Sequence, residues 1–147
     1  MRALIQRVTQ ASVSINNSTI SEIKQGLLIL VCAMNEDNEE DAEKMASKIS
    51  KIRIFNDEAG KMNKSIIDMN GEALIVSQFT LAADTSRGNR PGFSYAADPV
   101  KGEKLYEYFT QKLQNLNISC KKGVFGGDMK VFLVNDGPIT IWLDNKI

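Results

Sequence analysis

The chain has 147 residues, 43% of them hydrophobic and 24% charged, and its 18 basic side chains balance 18 acidic ones. That size fits one compact domain, residues 1–147, with a real buried core, and zero net charge argues against a protein that coats long nucleic acids. The absence of histidine removes Ser–His and Cys–His nucleophile pairs, His-ligated metals and His general bases.

Taken in chain order, Ala3 to Val8 and Ala11 to Ile15 alternate as strands, and Asn16-Asn17-Ser18 turns the chain into a further strand, Thr19 to Ile23. The apolar run Leu27 to Met34 is strand-sized, too short to span a membrane, and its lack of alternation predicts burial on both faces. Asp37 or Asn38 caps a helix whose acidic start (Glu39, Glu40, Asp41) and later Lys48 and Lys51 suit its dipole. Ala42, Met45, Ile49 and Ile52 share one face of it. Arg53-Ile54-Phe55 returns to strand, residues 56–63 form a polar turn region, and Asn70-Gly71 turns into the strand Ala73 to Val76. That strand leads into Ser77-Gln78-Phe79-Thr80-Leu81, followed by a long polar loop over residues 82–98. A loop of that length in a small domain points to function or mobility.

Asp98-Pro99 starts a second helix, with Leu105, Phe109, Leu113 and Leu116 as its apolar face. Ile118 to Phe125 and Met129 to Val134 read as strands joined by Gly126-Gly127-Asp128, and Asn135-Asp136-Gly137-Pro138 reads as a turn before a last strand, Ile139 to Leu143. Many strands and two main helices without regular β-α alternation predict an α+β domain, with a curved, barrel-like, mostly antiparallel sheet.

Cys32 sits inside the apolar run and reads as a buried free thiol, while Cys120 has no Cys or His nearby. Neither has zinc-site spacing, so no metal and no cofactor are expected. Met1 to Arg7 lacks the apolar stretch of a signal peptide, so a cytoplasmic location without a membrane partner is expected.

Two segments are candidates for chemistry. In Ser77-Gln78-Phe79-Thr80, two hydroxyls and an amide stand where a buried strand exits, and backbone N–H groups just past such an exit can serve as oxyanion donors. The plainer reading is a strand that turns polar as it leaves the core. Asn135-Asp136-Gly137-Pro138 has the residues of an ordinary turn, and only about 5–6% of X-Pro bonds are cis. A cis bond there is the more specific device, because it turns adjacent carbonyls in an unusual direction. Arg87, Arg90, Lys101, Lys104, Lys121 and Lys122 form either a phosphate-binding face or a solvated surface. The glycines near 88 and 126 lack phosphate-loop spacing.

The segments Ala3 to Val8, Arg53-Ile54-Phe55, Gly60-Lys61-Met62-Asn63, Val76 to Asp84 and Leu133 to Thr140 together resemble, in order and over essentially the full length, the D-aminoacyl-tRNA deacylases, also called D-tyrosyl-tRNA deacylases. The resemblance implies that family's fold and a homodimer that cleaves the ester between a D-amino acid and the 3′ terminal adenosine of tRNA. It also implies removal of glycine mischarged on tRNA-Ala. Carried over, Ser77, Gln78, Phe79 and Thr80 are the catalytic segment, and Gly137, Pro138 and Met129 bind substrate and select its hand. Gly137-Pro138 is then a cis dipeptide that reaches into the partner subunit's pocket and rejects L side chains. Two departures are visible: Gly92 where the family more often has Ser, and Gly127 where Ala is commoner. Two other readings remain. One is an editing hydrolase of this fold acting on L-amino acids. The other is a non-catalytic nucleic-acid-binding module of the same fold.

Overall fold

The computed structural model describes residues 1–146. In chain order its elements are β1 (Arg2–Ile15), β2 (Ser18–Ile23), β3 (Gly26–Cys32), α1 (Glu39–Lys51), β4 (Phe55–Asn56), β5 (Met62–Lys64), β6 (Glu72–Ser77), a 3-10 turn (Phe79–Ala82), α2 (Pro99–Asn115), β7 (Ser119–Lys122) and β8 (Lys130–Asp144). The main sheet is built around β1. Antiparallel β8 runs along most of its length, while β3 pairs with Arg2 to Val8 and β2 with Ala11 to Ile15. From β3 the sheet continues through β6 and β7, both in parallel pairings. The result is a nearly closed, barrel-like mixed sheet with two helices. Parallel neighbours need a crossover, and the β3–β6 connection supplies one that includes α1.

Two hydrophobic clusters lie on the two sides of the strands. The first joins Ala3, Ile5, Leu27, Ile29, Val31, Ala73 and Ile75 to α1 (Ala42, Met45, Ile49) and α2 (Leu105, Phe109, Leu113). The second holds Val8, Ala11, Val13, Ile23, Leu28, Leu74 and Val76, with no helical residue. Because β3 feeds both, it shows no alternation. Each large side chain fully buried this way, Phe109 or Phe55 for example, contributes roughly 1.5–3 kcal/mol.

Asn38 caps α1 in a reciprocal box with Asp41. Asp37 is instead buried, accepting from the Met1 ammonium at 2.7 Å and from the Met34 N–H at 2.6 Å. Asp98 caps α2 through the Lys101 N–H at 3.0 Å.

The chain departs from the sequence reading at particular places. The two N-terminal strands are one, and β5 forms where a turn region was expected. β7 ends at Lys122, short of Gly123. Residues 135–138 do not make a hairpin. They lie within β8, which pairs with β1 on both sides: Gln6 faces Thr140 and Val8 faces Asn135. Asp136 to Ile139 therefore stand opposite Arg7 alone, as an expanded bulge that β1 imposes.

Candidate functional site

Buried β6 ends at Ser77, and the Gln78 N–H continues the pairing to the Val31 carbonyl at 2.8 Å. The chain then tightens into the 3-10 turn, closed by the Ala83 N–H to the Thr80 carbonyl at 3.1 Å. No side chain caps the start of this turn, and the first N–H groups of such a turn have no partner within it. Ser77, Gln78 and Phe79 line a cleft together with Cys32, Tyr106 and Phe125. Thr80 lies beside it, its hydroxyl accepting from the Gln78 amide at 2.5 Å. Phe79 is 59% exposed and meets the Phe93 ring edge-on, with centroids 5.0 Å apart.

Among the described residues, no Asp, Glu, Lys or Arg side chain lines the cleft. Burial pushes the Cys32 thiol up to about 11, so it stays protonated near neutrality. The Tyr106 hydroxyl donates to the Ile75 carbonyl at 2.8 Å, and burial raises its pKa as well. Neither group supplies a base.

Two arginines that the sequence left without a role hold this architecture. Arg2 donates to the Leu81 carbonyl in the 3-10 turn at 2.9 Å and to Asp144 at 3.0 Å, with its guanidinium 5.6 Å from the Trp142 ring centroid. Arg7 is buried. It donates to the Ile54 carbonyl at 2.8 Å and to the Asp136 carbonyl at 3.1 Å, and its guanidinium lies 3.5 Å from the Asp136 carboxylate. The only sequence signal for either was an arginine inside an N-terminal strand.

The Gly137-Pro138 bond is cis, and both residues are exposed. Gly137 has φ +129°, and a Cβ there would lie 2.7 Å from Ile139 Cγ1 and 3.1 Å from Arg7 Nη2. Any side chain at this position is strained and crowded at once. Within one chain the two motifs are not neighbours. The 3-10 turn is held by Arg2 and the dipeptide by Arg7, five residues further along β1, or about 16 Å at the usual strand rise. Met129 packs on the second cluster, with its sulfur 2.6 Å from where a Cβ on Gly123 would stand, and is not part of the cleft lining. The structure thus brings Ser77, Gln78, Phe79 and Thr80 together and leaves Gly137, Pro138 and Met129 apart from them.

The two family departures differ in consequence. A Cβ on Gly92 meets nothing within 4 Å, whereas one on Gly127 would lie 3.2 Å from the Val124 carbonyl oxygen. Serine therefore fits at 92 without change, and alanine at 127 requires a small shift. Of the basic residues singled out, Lys122 pairs with Glu107 at 2.7 Å and Lys101 donates to the Asn35 carbonyl.

With this geometry in place, comparison with known proteins is informative. A family model described as D-Tyr-tRNA(Tyr) deacylase matches residues 4–144. A D-aminoacyl-tRNA deacylase from Cereibacter sphaeroides is 59% identical over 145 residues, 99% of this chain and 100% of its own. A solved structure described as "c-Myc DNA Unwinding Element Binding Protein" superposes with a TM-score of 0.94 at 40% identity, covering 99% of each chain. Another, "Structural Analysis of a probable eukaryotic D-amino acid tRNA deacylase", has the same fold, with a TM-score of 0.85 at 14% identity over 97% of each chain.

Proposed function

The chain belongs to the D-Tyr-tRNA(Tyr) deacylase family, whose activity is hydrolysis of D-aminoacyl-tRNA, and we propose that it performs this hydrolysis with backbone donors and the substrate's own ribose. The observation that carries the reading is the cleft lined by Ser77, Gln78 and Phe79, whose lining among the described residues includes no carboxylate and whose thiol and phenol are kept protonated by burial. A threonine nucleophile needs an activating base, and the partner of the Thr80 hydroxyl is an amide.

In the proposed step, a water oxygen attacks the ester carbonyl carbon and the backbone N–H at Phe79 stabilises the oxyanion. The 2′-hydroxyl relays a proton from the water to the 3′ oxygen as the acyl bond to it breaks, releasing a D-amino acid and free tRNA. Ser77 and Gln78 position the ester, and Thr80 maintains the hydrogen bonding of the turn.

Selection of hand falls to Gly137-Pro138, acting from a second copy of the chain. The dipeptide is exposed and firmly held by Arg7, yet distant from the cleft of its own chain. β8 suits such an interface. Its ladder in this chain is to β1, and Phe132, Val134 and Trp142 are each at least 46% exposed, an apolar surface of the kind that interfaces cover. The filter excludes L side chains, so glycine on tRNA-Ala passes it. Met129 contributes to substrate binding through its packing against Gly123, just past the end of β7. A charged-tRNA substrate supports a cytoplasmic location for the reaction.

The test compares D- and L-aminoacyl-tRNA, and D-aminoacyl-tRNA ending in 2′-deoxyadenosine, on the native chain and on Thr80→Ala. Expected are hydrolysis of the D-substrate alone, turnover retained in Thr80→Ala, and a loss of about 100-fold or more with the deoxy substrate. Abolished turnover in Thr80→Ala with intact binding restores a side-chain nucleophile. The 40% identical structure named for DNA-element binding favours a second reading, a non-catalytic nucleic-acid-binding module. Tight, salt-dependent DNA binding without deacylation establishes it instead.

A further inference from the structure

The stretch after the 3-10 turn is not an idle loop. Asp84 and Gly92 pair through two backbone hydrogen bonds of 2.8 and 2.9 Å, closing a hairpin that begins two residues after the turn ends. Its base is fixed to the site on two sides, by the Ala83 N–H to the Thr80 carbonyl and by the Phe93 ring against Phe79. The returning segment is stitched to the chain just past β3 by the Asn35 N–H to the Tyr95 carbonyl and the Ala97 N–H to the Ala33 carbonyl, both 2.9 Å. The hairpin is therefore a preorganised extension of the cleft wall. Seven residues folded back on themselves reach no more than about 12 Å beyond the Asp84–Gly92 pair.

Beyond Asp84 at its base, the hairpin's charge is of one sign. Arg87 and Arg90 are exposed, and neither forms an ion pair among the described residues. Residues 85–97 include no acidic side chain. The one carboxylate at the base, Asp84, is occupied by the Ser86 N–H at 3.0 Å and the Ser86 hydroxyl at 2.6 Å. Pro91 restricts Arg90 to extended backbone, which limits where that guanidinium can point. Past the base of the hairpin, Tyr95 presents a ring that is 53% exposed, although its backbone is tied down. Two unpaired guanidinium groups on a hairpin, with an exposed aromatic on the chain segment that leaves it, are the combination that single-stranded nucleic acid uses, with phosphates on the arginines and an unstacked base on the ring.

We propose that the Asp84–Gly92 hairpin is the docking site for the single-stranded end of the tRNA, with Arg87 and Arg90 holding the phosphates that precede the terminal adenosine and Tyr95 stacking a base. This rests on the deacylase reading and deepens it. The cleft handles the aminoacyl ester and its ribose, while the hairpin selects a substrate that carries RNA. The row of lysines on α1 (Lys44, Lys48, Lys51) is the less suitable surface, because Lys44 is already paired with Glu40 at 2.8 Å and that face contains no aromatic ring.

The test measures kcat/KM of the native chain and of the Arg87→Ala/Arg90→Ala variant on two substrates, full D-aminoacyl-tRNA and D-aminoacyl-adenosine, which lacks phosphates. Each single-strand phosphate contact contributes about 0.7 to the salt slope, so losing two lowers it by about 1.4. Between about 50 and 200 mM salt, the native chain should then lose about sevenfold more of its kcat/KM on tRNA than the variant does. On D-aminoacyl-adenosine both proteins should show the same weak salt dependence, and Arg→Lys at both positions should restore most of the slope on tRNA. An unchanged slope on tRNA overturns the proposal. So does an equal loss on both substrates, which would mean that the hairpin shapes the cleft without touching RNA. Failure of the native chain on both substrates refutes the deacylase mechanism itself and is recognisable as such.

Discussion

Replacing Arg7 with lysine keeps the charge and removes the fork, and the structure gives the size of the effect. The guanidinium, 9% exposed, bonds the Ile54 carbonyl at 2.8 Å and the Asp136 carbonyl at 3.1 Å. Hydrogen bonds to a charged donor contribute about 1.5–3 kcal/mol each. The Asp136 carboxylate, 43% exposed at 3.5 Å, adds less than about 1 kcal/mol. A lysine reaches one of the two carbonyls but lacks the geometry for both, so Arg7→Lys should cost about 2 kcal/mol. For a chain of this length that is a fall of roughly 4–8 °C in Tm. The bond that lysine cannot keep is the one that fixes the Asp136–Ile139 bulge, so the dipeptide loosens and the ratio of D- to L-aminoacyl-tRNA hydrolysis falls. Chemical denaturation reads the first effect, and paired single-turnover assays on the two substrates read the second. Loss of stability with an undiminished D/L ratio refutes a positioning role for Arg7. Full stability refutes the energetic reasoning.

Arg2→Ala removes the donor to the Leu81 carbonyl in the 3-10 turn. It should lower kcat about tenfold with little change in KM, since misplacing a donor penalises the transition state more than binding. Arg2→Lys should recover part of the loss, and an unchanged kcat counts against the clamp. Cys32 sets an alkaline limit. Its thiol is pushed up to about 11 by burial, so between the ordinary cysteine pKa and 11 the folded chain holds a proton that the unfolded chain has lost. Stability then falls as pH rises through that window, by about 2 kcal/mol for this one group. Denaturant midpoints between about pH 9 and 11 should decline more shallowly for Cys32→Ala than for the native chain, and identical slopes refute the assignment.

Local signals were legible in the sequence because local physics decides them. Asp98-Pro99 starts α2 as expected, and Ala42, Met45 and Ile49 fall on its partner helix's buried face. Where the sequence left Asp37 and Asn38 equivalent as caps, the choice is made by the Met1 ammonium, 36 residues away, which takes Asp37 for itself. The unalternating run of β3 carries the mark of a parallel strand buried on both faces, but its partner β6 is brought to it only by a crossover of about forty residues, and its other neighbour, β1, is antiparallel. Residues 135–138 have turn chemistry, but β1 pairs with β8 on both sides of them and converts the turn into a bulge.

The site divides in the same way. Ser77 to Thr80 could be proposed from the sequence because the segment is contiguous and the strand before it is obvious. Arg2 and Arg7 could not, because an arginine within an N-terminal strand has the appearance of a solvated side chain until the fold brings Leu81 and Asp136 to it. Both arginines lie on β1, which ties the 3-10 turn and the exposed dipeptide to one rigid strand about 16 Å apart. In the proposed dimer, that strand in one protomer sets the depth of the cleft while the same strand in its partner sets how far the dipeptide enters. A filter that works by exclusion tolerates little play. Its precision then depends on two guanidinium anchors, Arg7 buried and Arg2 partly so, and the reacting groups themselves can remain backbone and ribose.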